Sequence, residues 1–173
     1  MNIYEMTVVS NLEGRDQIFV GYGRNHEIAV LSAGGQTLWS SGEEFDGSLN
    51  YFETTNRQSI GKDRHYIPQR ILPADTDNNG NQEVIAVKNI NSSPAFLTKN
   101  KKYKRGTISC LEWDDAYALR TKWKTTEEQG YISDVALADA TNDGKADLVF
   151  TVVSDVKANI KKSSSYLVIQ QLP

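Results

Sequence analysis

Apolar residues fall along this chain in short runs of four to eight, each bounded by Gly, Asn, Asp or Ser. No segment of ten or more residues carries a helical period of 3.6. The pattern predicts strands at Met6–Val9, Gln17–Tyr22, Glu27–Leu31 and Thr37–Trp39. A second group follows at Arg70–Ala74, Val84–Val87, Gly106–Trp113 and Leu119–Trp123. A third has Asp134–Ala138, Leu148–Val153 and Ser165–Ile169. Short strands punctuated by turn residues, repeated in this way, are the signature of an all-β meander. The punctuation includes Asn11–Arg15, Gly34-Gly35 and Asp114-Asp115. His65-Tyr66-Ile67-Pro68 reads as a loop entering a strand.

Two of the breaks between strands are the same nine-residue loop. The first copy runs Asp75-Thr76-Asp77-Asn78-Asn79-Gly80-Asn81-Gln82-Glu83, and the second runs Asp139-Ala140-Thr141-Asn142-Asp143-Gly144-Lys145-Ala146-Asp147. They begin 64 residues apart (139 − 75), so the loop belongs to a repeating unit. Side-chain oxygens stand at positions 1, 3, 5 and 9: Asp75, Asp77, Asn79 and Glu83, then Asp139, Thr141, Asp143 and Asp147. Hard cations such as Ca²⁺ take about six to eight oxygens, and a short loop supplies them by turning on Gly and adding a main-chain carbonyl. That carbonyl would come from position 7, Asn81 in one copy and Lys145 in the other. A plain turn also favours Asp, Asn and Gly, for local hydrogen bonding and positive φ. Matched oxygen positions in two copies weigh against that simpler reading. An EF-hand is excluded, because it needs a bidentate Glu at position 12 and helical flanks. Position 12 is Ala86 or Phe150, and both flanks are strand-like.

These loops, each running into Val84-Ile85-Ala86-Val87 or Leu148-Val149-Phe150-Thr151, resemble the calcium loops of FG-GAP/VCBS repeats. Thr141 at position 3 and Glu83 at position 9 depart from the usual carboxylate and Asp of that family. The resemblance implies a β-propeller-like fold of about three four-stranded antiparallel blades, near residues 6–41, 66–125 and 131–173. The last of these would lack its outer strand. Closed propellers have about four to eight blades, so the chain reads as the C-terminal part of an incomplete propeller. The implied function is a calcium-binding, non-enzymatic interaction or scaffold module with two structural Ca²⁺ ions. The implied setting is extracytoplasmic, and the partner is an unspecified protein or glycan together with the missing blades. The first site should be the tighter, because Thr141 replaces a carboxylate. The alternative is the propeller portion of a carbohydrate-active or quinone-dependent enzyme, or a lectin-like glycan binder. Acid, His or Arg residues converging on the innermost strands would favour that alternative. Arg70 and Asp134 occupy equivalent positions there (134 − 70 = 64) and read as an ion pair between neighbouring units.

Composition narrows the picture a little. The net charge is −3 and the mean hydropathy −0.50. No apolar run approaches the ~18 residues of a membrane span, and no nucleic-acid motif is present. No secretory signal is visible at Met1. The single cysteine, Cys110, lies in an apolar run and reads as a core residue. Trp39 and Trp123 read as packing residues rather than sugar platforms. Lys99–Arg105, the one basic cluster, reads as a solvated hairpin loop, and Asn91-Ser92-Ser93 matches a glycosylation acceptor.

Overall fold

The computed structural model describes residues 6–12, 15–45, 47–55, 62–93, 101–114, 117–155 and 163–172. The described elements are all strands. The first sheet holds β1 (Met6–Leu12), β2 (Arg15–Tyr22), β3 (Glu27–Leu31) and β4 (Thr37–Glu44), in that spatial order. A separate hairpin pairs β5 (Tyr51–Thr55) with β6 (Lys62–Tyr66). The second sheet runs β7 (Ile71–Ala74), β8 (Glu83–Asn91), β9 (Tyr103–Trp113) and β10 (Leu119–Lys124). The third has three strands, β11 (Tyr131–Ala138), β12 (Asp147–Asp155) and β13 (Ser163–Gln171). All pairings are antiparallel between neighbours in sequence, as a meander requires.

The sheets pack on one another through two apolar layers. Between the first and second sheets lie Val9, Ile18, Val20, Ile28 and Val30 against Ile71, Val84, Ala86 and Leu111. Between the second and third lie Ile85, Val87, Ile108 and Cys110 against Val135, Leu148, Phe150 and Val152. Residues of β8 alternate between the layers, Val84 and Ala86 into one, Ile85 and Val87 into the other. This is why Val84–Val87 of β8 is an unbroken apolar run: both of its faces are covered. Trp39 and Trp113 lean on the first layer and Trp123 on the second, so the tryptophans pack.

Two expectations change. His65 and Tyr66 belong to strand β6 rather than to a loop, paired with Phe52 and Tyr51. The hairpin they help form lacks apolar alternation; it is held by cross-strand pairs, a Phe52–His65 stack at 5.1 Å and a Glu53–Arg64 ion pair at 3.3 Å. The two ends of the polar stretch between Val87 and Gly106 are strand, because β8 continues to Asn91 and β9 starts at Tyr103. Of the basic cluster, Lys99 and Asn100 lie outside the described residues, as do Glu13, Gly14 and Asp115 of the turns. Tyr103–Arg105 open β9, and Lys101 stands over the Tyr66 ring at 4.4 Å.

Cys110 is fully buried, and that burial pushes its thiol up to about 12. The thiolate is the reactive species. The native chain should therefore resist an aromatic disulfide reagent at pH 8 and release its one free thiol only on unfolding. Rapid reaction of the native protein would show that the second layer opens readily. The neutral thiol's contribution to stability is present below the ordinary thiol range. It is lost as pH rises towards the folded value, so strong alkali should loosen this layer.

Candidate metal centre

Each acidic loop joins the first strand of a sheet, at its edge, to the next: β7 to β8, and β11 to β12. The turn conformation is the same in both copies. Position 4 has left-handed backbone, φ 59° at Asn78 and 58° at Asn142, and Gly follows at position 6 with φ 89° and 84°. Gly carries no Cβ penalty there, and Asn is among the side chains that tolerate the left-handed region.

The hydrogen bonds accepted by positions 1 and 5 repeat atom for atom. Asp75 accepts the Asn79 amide at 3.1 Å and the Gly80 amide at 2.9 Å, one on each carboxylate oxygen. Asp139 accepts those of Asp143 and Gly144, both at 3.0 Å. Asn79 Oδ1 accepts the Asn81 amide at 2.7 Å, and Asp143 Oδ1 accepts that of Lys145 at 2.9 Å. Position 9 closes the loop on position 2. Glu83 Oε2 takes the Thr76 amide at 2.8 Å and hydroxyl at 2.6 Å. Asp147 Oδ2 takes the Ala140 and Thr141 amides, with the Thr141 hydroxyl, at 3.0 Å each. Glu83 and Asp147 are almost fully buried, at 2 % and 1 % exposure, while position 1 is exposed. A longer Glu in one copy and an Asp in the other thus both reach the position-2 amide, while the hydroxyl comes from position 2 in the first loop and from position 3 in the second.

The loops differ in how their carboxylates converge. Asp75, Asp77 and Glu83 can each offer an oxygen within 4.8 Å of the others. Among the described residues this is the one such acidic group. In the second loop Thr141 stands at position 3 with its hydroxyl turned to Asp147, and Asp139, Asp143 and Asp147 form no such cluster. The Asn79 side chain is also engaged, its amide donating to Asp77 at 3.0 Å. The two loops wall one cleft of about 620 Å³, Asp75 and Asp77 from the first loop, Asp143 and Asp147 from the second.

One residue was not foreseen. Lys122 of β10 reaches into the first loop, with Nζ 2.7 Å from Asp77 and 3.0 Å from Glu83. Glu112 lies 3.4 Å away. Burial works against the ammonium, but its hydrogen bonds to Asp77 and Glu83 outweigh this and raise its pKa above the usual lysine range. The same ammonium, with the Asn79 amide, lowers Asp77 below the usual carboxylate range. A cation already stands among the oxygens of the first loop. The third sheet has no fourth described strand from which an equivalent lysine could reach the second loop.

The expected pair across the units is present: Arg70 donates to Asp134 at 2.8 Å. Both side chains are more than half exposed, so the bond adds little stability. Asn91 is exposed at the end of β8, where its side chain accepts the Ser93 amide.

The chain matches no family model, and comparison with curated proteins and with solved structures finds no match.

Proposed function

We propose that the chain is a non-enzymatic, calcium-stabilised repeat module of the VCBS/FG-GAP type, whose sheets form part of a β-propeller. The observation that carries this reading is the duplicated loop: two copies with the same backbone signs and the same hydrogen bonds accepted by positions 1 and 5, each running into a buried strand. A turn selected only for reversal of the chain needs no carboxylate at positions 1 and 9 in both copies. The metals are structural. Each pins an inner strand to its neighbour and offsets the repulsion of clustered carboxylates. Oxygen-only donor sets on flexible loops suit Ca²⁺ better than the stricter octahedron of Mg²⁺. Sites of about 10⁻⁴–10⁻³ M affinity fill in extracytoplasmic calcium, and an extracytoplasmic setting is part of the proposal. Arg70 and Asp134 satisfy one another, which supports a structural role for the inner-strand charges.

The test is thermal unfolding in EDTA and in several millimolar CaCl₂ or MgCl₂. A ligand that binds only the native state adds about 2.7 kcal/mol at one hundred times Kd. For a chain of this size that corresponds to a rise in Tm of about 5–10 °C. Calcium should produce it and magnesium should produce less. An unchanged Tm between EDTA and calcium would sink the reading.

A further inference from the structure

We infer that a second copy of this chain docks head to tail on the first, the free face of one copy's first sheet seated on the free face of its partner's third sheet. The argument starts from the polarity of the stack. Leu72 and Ile85 are cross-strand partners on the face that the second sheet turns towards the third. The 64-residue repeat carries them onto Ala136 and Val149, again cross-strand partners. Ile71 and Ala86, on the face turned to the first sheet, become Val135 and Phe150, which face the second. Each repeat therefore presents one kind of face backward and the other kind forward.

Among the described residues, one face of each kind is left uncovered, one on the first sheet and one on the third. On the third sheet, Val149 sits beside Ile169, and Thr151 beside Leu167. Ile169 is 46 % exposed and Leu167 59 %. Asn89 of the second sheet maps to Val153, so this position of the free face is apolar. On the first sheet, Val9 and Ile18 point into the stack, so alternation turns Val8 and its partner Phe19 outward, in line with Leu31. Val8 is 43 % exposed. Contiguous apolar surface of this kind marks an interface. The packing already present shows what covers it: a forward face takes a backward face, and the chain carries one of each at its two ends. The contact is heterologous, and such contacts form rings when the rotation closes. Two copies give six sheets, within the range of about four to eight for closed arrays of this kind. The inference rests on sheet packing and is independent of metal binding.

The test is the mass in solution, by sedimentation equilibrium or light scattering, of the full chain and of Val8→Lys and Leu167→Lys, in EDTA and in calcium. Both substitutions sit on exposed positions, and circular dichroism with thermal unfolding checks that each variant folds. The parent should have twice the chain mass, and each variant should be monomeric. Mixing the two variants should restore a pair, because one unaltered contact remains between them. A monomeric parent at about 100 µM overturns the inference and would fit further sheets of a longer polypeptide covering these faces. Open polymers overturn the closed pair. Loss of association in one variant alone overturns the head-to-tail contact, because it indicates that like faces meet.

Discussion

Replacing Lys122 by Met should cost the metal-free protein about 2 kcal/mol and make its stability far more dependent on calcium. Glu83 is almost wholly buried, and Lys122 is the cation that faces it. Removing one partner of a buried pair costs about 3–5 kcal/mol, because the remaining charge is left uncompensated. Lys122 keeps about a fifth of its side-chain exposure, so water and Glu83's bonds to Thr76 reduce that figure. A loss of about 2 kcal/mol lowers Tm by roughly 4–8 °C in a chain of this length. Calcium entering the parent's first loop must displace the ammonium from Asp77 and Glu83; in the Met variant the same oxygens are open. Calorimetry on Lys122→Met should therefore show a tighter site, abolished by Asp77→Ala, and a weaker one, abolished by Asp143→Ala. An unaltered Tm in EDTA would mean that Lys122 contributes nothing to the loop. Equal calcium responses of parent and variant would mean that metal and ammonium do not share these oxygens.

Lys122 was invisible in the sequence for a definable reason. Its partner Asp77 is 45 residues away, and the ladder of β10 on β9 is irregular between Thr121 and Trp123. A bulge of this kind moves the following side chains to the other face of the sheet. Leu119 accordingly packs in the first layer and Trp123 in the second, although strict alternation puts both on one face. The residue between the paired positions is Lys122. A similar shift between Ile132 and Asp134 lets Ile132 and Val135 share a layer. The acidic loops were legible because their information is local: six consecutive residues set the turn, and the second copy repeats them. The apolar strands were legible because covered faces demand apolar side chains. The β5–β6 hairpin was not, since all five residues of β5 are exposed and its signal lies in cross-strand partners such as Tyr51 with Tyr66. Convergence of the first loop's carboxylates could be read from Asp77 and Glu83, whereas the turning of the Thr141 hydroxyl to Asp147 could not.

Asn89→Ala should destabilise the chain by about 2–4 kcal/mol, the largest loss expected from a polar residue here. Asn89 interrupts the apolar run of β8 and is 8 % exposed. Its side chain makes three short bonds to main chain only. Nδ2 donates to the carbonyls of Gly47 at 2.7 Å and Ile132 at 2.9 Å, and Oδ1 accepts the Ile132 amide at 2.9 Å. One side chain thus ties the second sheet to the third and to the segment after β4. Glycines make the close approach possible. A Cβ on Gly47, whose φ is +100°, would stand 2.6 Å from Asn89 Cβ, and one on Gly106 would stand 2.5 Å from its Oδ1. Gln69 Nε2 also reaches the Ile132 carbonyl at 3.1 Å and the Gly47 carbonyl at 3.4 Å, so the acceptors keep a partial substitute. The Ile132 amide, by contrast, donates to Asn89 Oδ1 and loses that acceptor with the truncation. A buried group left unsatisfied costs about 1–3 kcal/mol, to which the truncated volume adds. Urea unfolding should show a lower midpoint with an unchanged slope, the mark of a stability change alone. Hydrogen exchange should show the Ile132 amide losing protection first. Asn91→Ala, at the exposed end of the same strand, should stay within about 0.5 kcal/mol of the parent. Because Gln69 shares two acceptors with Asn89, the double variant Gln69→Ala/Asn89→Ala should lose more than the sum of the two single losses. An Asn89→Ala chain as stable as the parent would mean that the apolar layer alone holds the second and third sheets together.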